Sequence, residues 1–186
     1  MKPSIKILTV LFVWLVSSFS AEAQRYMTKN GNISFFSEAP METIKADNNQ
    51  VNAALDAQTG DIVFKILIKS FQFPKALMQE HFNENYMESD KYPNSIFRGK
   101  ITNLSSIDFS KEGTYDVVIE GDMTIHGVTK AISEKGTFTV EPGEMIHGKS
   151  KFLVKVADYD IKIPGTVINN IAESIEVTVD IELAKF

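Results

Sequence analysis

Apolar and polar residues alternate along three stretches of the chain, two of them cleanly. In "TYDVVIEGDMTI", Tyr115, Val117, Ile119, Met123 and Ile125 alternate with Asp116, Glu120, Asp122 and Thr124. In "SIEVTVDIEL", Ile175, Val177, Val179, Ile181 and Leu183 stand against Glu176, Thr178, Asp180 and Glu182. "DIVFKILIKSFQF" puts Ile62, Phe64, Ile66 and Ile68 on one face, while Val63 and Leu67 share the other with Lys65 and Lys69. A period of two predicts strands with one buried and one wet face. Weaker strands fit at 33–37, 51–56, 95–102, 128–140 and 149–156, giving about eight in all. Turn signals separate them: "TGD" at 59–61, "EG" at 112–113, "HG" at 126–127 and "EPGE" at 141–144.

One segment departs from that period. In "FPKALMQEHFNENYMES", Pro74 suits a first helical position. Leu77, Met78, His81 and Phe82 then fall on one helical stripe, with Lys75, Gln79, Glu80, Asn83 and Glu84 opposite. The spacing predicts one short amphipathic helix over 74–85. Antiparallel strands with a single helix form a sandwich or a closed barrel. Long strands favour the barrel, because closure removes unpaired edges. The expected fold is all-β: an eight-stranded antiparallel lipocalin-like barrel, just wide enough for a small ligand.

The first 23 residues stand apart. Lys2 and Lys6 precede an apolar run at 7–19, and "AEA" at 21–23 supplies small residues for cleavage before Gln24. This pattern predicts a secretory signal over 1–23, a single domain over 24–186, and a periplasmic or secreted location. The chain has no cysteine, which excludes a disulfide framework, thiolate metal sites and a lipid-modified cysteine anchor. A formal net charge of −5 and the lack of any Lys/Arg cluster argue against a nucleic-acid partner.

Candidate chemistry is sparse. His81, His126 and His147 are the only histidines, and no pair has metal-ligand spacing. No Gly-x-Ser-x-Gly elbow is present. In "GEMIHGKS" the glycines and the Lys-Ser lack the spacing of a phosphate loop. "IHGV" lies between two alternating strands, and histidine tolerates positive φ. His126 is therefore expected at the exposed tip of a two-residue hairpin turn.

Two motifs point to a family. "GDMTIHGVTK" resembles the corresponding hairpin of YceI-like proteins. "HFNENYMESDKYPNSIFRGK", at 81–100, is similar to that family's histidine start, polar stretch, "KYP" and apolar–x–aromatic strand. Order and spacing also agree. The chain departs from the pattern at Phe82, where leucine is common, and at Ala131, where proline is usual. It also lacks a histidine-containing aromatic strand around 33–40, so the barrel mouth is expected to differ.

The resemblance implies a barrel with a helix near one opening, often dimeric. It implies an elongated apolar cavity for an isoprenoid quinone-like or fatty-acid-like chain and does not imply an enzymatic activity; with the sparse chemistry above, no metal or cofactor is expected. The expected mechanism is burial of the tail along the barrel axis, with the polar head near the helix. Expected lining residues are Phe64, Ile66, Phe71, Phe73, His81, Phe82, Phe97, Ile119, Met123, Phe152 and Tyr159. Two rivals stay open at this point: an enzyme acting on a small hydrophobic substrate in the same cavity, and a solid-cored interaction module.

Overall fold

The computed structural model describes residues 24–143 and 145–186. The expected signal segment lies outside the described residues. Eight strands follow one another in antiparallel order: β1 (Arg25–Glu38), β2 (Thr43–Asp56), β3 (Asp61–Leu67), β4 (Asn94–Ile101), β5 (Gly113–Ile125), β6 (Val128–Glu141), β7 (Met145–Lys155) and β8 (Ser174–Lys185). β8 pairs back onto β1 and closes the barrel.

The three alternating stretches are β3, β5 and β8, with the expected faces inward. On β8, Val179, Ile181 and Leu183 are buried; on β3, Ile62 and Ile66 are buried while Val63 is exposed. Four of the five weaker strands are longer than their sequences suggest, and β4 is shifted by one residue. β1 begins at Arg25 rather than 33, because the polar "KNGN" at 29–32 is absorbed as irregular register against both neighbours. β2 begins at Thr43 rather than 51. Its polar stretch is held by Asn48, which is fully buried, donates from Nδ2 to the Leu67 carbonyl at 3.0 Å and accepts from Gln50 N at 2.9 Å.

The expected helix is present but shorter and differently wound. Helix α1 covers Ala76–His81 and continues as one π turn through Phe82–Tyr86. Leu77 is not on the buried stripe; it is 60 % exposed. The segment ahead of α1 is tied to β2 by reciprocal backbone hydrogen bonds between Asp47 and Gln72, at 3.2 and 2.8 Å.

The two ends of the barrel differ. At one, Leu55, Ile62, Ile101, Val117, Ile146 and Leu183 are almost completely buried. The β4–β5 connection closes this end, with Phe109 against Tyr26 at 6.2 Å between ring centroids. Each such aliphatic side chain contributes about 1.5–3 kcal/mol of burial. The opposite end carries α1, the β1–β2 and β5–β6 hairpins and the long β7–β8 connection.

The β5–β6 turn is the expected tight hairpin: His126 and Gly127 have φ of 50° and 77°. His126 is not exposed, however; its side chain is only 10 % accessible. The ring lies edge-on to Tyr92 at 4.7 Å, Nδ1 is 3.2 Å from the Tyr159 carbonyl, and Nε2 is 3.3 Å from Glu88 Oε1. The turn tip is thus folded against the two connections beside it, an arrangement the local sequence cannot reveal. It joins the hairpin, the segment after α1 and the β7–β8 connection.

Candidate functional site: an apolar cavity

Above the packed end, the barrel interior is hollow. A cavity of about 360 Å³ runs up to the mouth, within the size range of small-molecule sites. Its wall comes from inward positions on the strands. Phe64 and Ile66 of β3, Phe97 of β4, Ile119 and Met123 of β5 and Phe152 of β7 all face it. Phe71, Phe73, His81 and Phe82 close in from the connection that carries α1. The structure therefore brings ten of the eleven expected residues to one cavity.

Tyr159 is the exception. It does not line the cavity; it is buried in a satellite cluster with Met123 and Val154, and borders a separate, smaller pocket. The short 3₁₀ turn after β7 (Val156–Tyr159) packs the ring against β6, and Asp160, in the left-handed region with φ of 55°, redirects the chain beyond it. Ile161, two residues on, faces the cavity instead.

The space that Gly99 and Gly121 leave on neighbouring strands is already used. A Cβ on Gly121 would lie 2.3 Å from the Arg98 carbonyl oxygen and from Gly99 Cα. One on Gly99 would lie 2.4 Å from Cζ of Phe97. These glycines let β4 and β5 approach closely and let the Phe97 ring fold over them.

The mouth is built from aromatic rings. Phe35, Phe71, Phe73 and Phe82 form one cluster, with centroids 5.0–5.7 Å apart in five pairs. Met78, Tyr86 and Met87 extend it. The other half of the mouth is the β7–β8 connection, whose Ile161, Ile163, Val167 and Ile171 face inward. This connection is latched to the β1–β2 hairpin. Met41 N donates to the Asn169 carbonyl at 2.9 Å, Ala172 N to Ser37 Oγ at 2.9 Å, and Asn170 Nδ2 to Glu42 Oε2 at 3.4 Å. Glu42 also meets Lys75 at 3.2 Å, so one carboxylate ties both halves of the mouth.

The domain model that matches this chain is the YceI-like domain, over residues 21–183. The chain belongs to the YceI-like family. Comparison with curated proteins returned no match. Solved structures share the fold. A polyisoprenoid-binding domain from Saccharophagus degradans, implicated in plant cell wall breakdown, superposes with a TM-score of 0.77 at 12 % identity, over 89 % of this chain and 100 % of that one. Burkholderia cenocepacia BcnA gives 0.68 at 14 % identity, over 83 % and 96 %. The Campylobacter jejuni YceI protein gives 0.55 at 15 % identity, over 100 % and 91 %. At such identities the likeness carries the fold alone.

Within this YceI-like barrel the electrostatics are simple. No lysine or arginine of the described residues lines the cavity; its ionisable residues are Glu42, His81, Tyr86 and Glu134. Burial raises the Tyr86 phenol and the Glu134 carboxyl above their ordinary values. Burial, followed by the charges of Asp158 and Glu134, does the same to Tyr159. His147 is engaged elsewhere, with Nε2 against Asp180 at 2.5 Å on the partly exposed face between β7 and β8.

Sequence reasoning missed Phe35, Glu134 and, on the β7–β8 connection, Ile163, Val167 and Ile171. Phe35 alternates with Ile33 and Ser37, a usable signal. Glu134 carried none, since β6 is the least regular of the strands and an inward acid looks like an outward one.

Proposed function

We propose that this protein binds the apolar chain of an amphiphilic isoprenoid or acyl lipid, sequestering or carrying it outside the cytoplasm. The single observation behind the reading is a cavity walled by aliphatic and aromatic side chains from strands, helix and connection together. Burial of a chain is worth about 0.8 kcal/mol per methylene, so about ten buried carbons supply ~8 kcal/mol before ordering costs. Strong polar anchors are not required for useful affinity. The polyisoprenoid-binding description of a structural neighbour is in keeping with this reading, as is the secretory pattern of residues 1–23.

The test is mass spectrometry of organic extracts from protein purified from its native host. One long-chain species at near-equal stoichiometry is expected. A clean extract, together with delipidated protein that takes up no long-chain probe, would reject the reading. N-terminal sequencing of the same material should begin at Gln24; a retained Met1 would remove the export component.

A further inference from the structure

The barrel ladder forks between β6 and β7. Pairing of these strands ends at Gly136 with Ser150. Beyond that point the Ser150 hydroxyl donates to the Lys135 carbonyl at 2.6 Å, supplying with a side chain what the strand would otherwise give. Residues 128–135 of β6 then pair only with β5, and residues 151–155 of β7 only with β8. The 3₁₀ turn bearing Tyr159 fills the gap.

Glu134 is the first inward residue of β6 above the fork. It borders both the main cavity and the smaller pocket in the fork. Among the described residues its carboxyl has no hydrogen-bond or ion-pair partner, and burial alone sets the direction of its pKa. The polar groups at the mouth differ: Glu42 is held by Lys75 and Asn170, and Ser37 accepts from Ala172. Glu134 is thus a half-buried carboxyl without a protein partner in an otherwise apolar wall, placed where a ligand's donor can reach it from the cavity.

We propose that Glu134 anchors the head group of the bound lipid, and that this head is uncharged or cationic and donates a hydrogen bond, as in a long-chain alcohol or amine. The assignment rests on the lipid-binding reading and narrows it. An acid or a phosphate would bring a second negative charge beside a carboxyl in a cavity that no lysine or arginine of the described residues lines. It also moves the head away from the helix, to the side of the barrel where the fork opens. Lys130 and Lys155 border the fork pocket, but neither lines the cavity.

The experiment uses delipidated full-length mature protein and a series sharing one tail: geranylgeraniol, geranylgeranylamine and geranylgeranoic acid. Affinities are read by displacement of a neutral fluorescent probe at neutral pH. The alcohol and the amine should bind at least ~10-fold tighter than the acid, a tenfold ratio being one decade in Kd. In Glu134→Gln the gap between amine and acid should shrink to about threefold or less, with thermal melting confirming the fold.

If none of the three binds wild-type protein, the lipid-binding reading itself fails. If all bind and the acid matches the alcohol, or if Glu134→Gln leaves the gap intact, the anchor is wrong while lipid binding stands. A preference for the acid that disappears in Lys130→Gln would place the head on the outer lysines and overturn the assignment.

Discussion

Replacing Phe82 with alanine tests the mouth most directly. Phe82 sits on the π turn after α1 and touches three other rings, Phe35, Phe71 and Phe73, at 5.5, 5.6 and 5.0 Å. Truncating a fully buried phenylalanine costs about 3–5 kcal/mol, part of which is the new cavity. Phe82 is only partly buried and already borders a void, so little new cavity term arises. What remains is lost ring burial plus three aromatic contacts worth ~0.5–1.5 kcal/mol each. The expected loss is about 2–3 kcal/mol for the empty protein. A domain of this size shifts by about 2–4 °C per kcal/mol, so Tm should fall by roughly 5–10 °C. Retention of a long-chain probe should weaken in the same variant, because the ring also faces the cavity. The control is Leu77→Ala on the exposed side of α1, expected within about 0.5 kcal/mol of wild type. Equal melting temperatures for Phe82→Ala and wild type, or an equal fall in Leu77→Ala, would show that the aromatic cluster does not hold α1 over the mouth.

Three further outcomes are expected. His126→Asn keeps a residue that tolerates positive φ but loses the Tyr92 packing and the paired ring contacts; stability should drop by about 1–2 kcal/mol in urea unfolding, and no change would mean these contacts contribute nothing. Gly127→Val should cost more than His126→Asn, since its Cβ meets Tyr92 Cε1 at 2.5 Å at a φ of 77°; the reverse order would refute this account of the turn. Hydrogen bonding from His147, opposed by burial and aided by the His147 and Lys149 charges, holds the Asp180 carboxyl below its usual value. That contribution is present above the ordinary aspartate value of about 3.9 and is lost as pH falls through the lowered one, so the Tm gap between wild type and Asp180→Asn should close in acid; a gap that persists would exclude it.

Much of the barrel was legible because its strands alternate where one face is core and the other water. Legibility failed where partners far along the chain supply what local sequence lacks. The "KNGN" of β1 has the composition of a turn, yet it runs between two neighbouring strands. The polar start of β2 is strand because Asn48 is satisfied by the Leu67 carbonyl. The cavity wall could be read from inward aromatics. Tyr159 could not be placed, because the 3₁₀ turn over Val156–Tyr159 breaks the period of two that orients the strand residues before it. His126 was correctly a turn residue by its backbone, but its side chain is decided by Tyr92, Glu88 and Tyr159, all more than 30 residues away in sequence.

The fork between β6 and β7 also bears on how the molecule avoids its own copies. Each arm of the fork has a run of backbone N–H and C=O groups without a strand beside it, the feature through which β-proteins add foreign strands. Leu153, on the outer face of β7 there, is 67 % exposed, so this edge offers an apolar contact as well. Lys151 and Lys155 flank it on the same face, and Lys130 and Lys135 stand on the facing arm. A second molecule approaching edge-on would have to bury these ammonium groups against like charges. The lysines thereby let the two strands part beyond Gly136 without their edges becoming a seed for sheet growth.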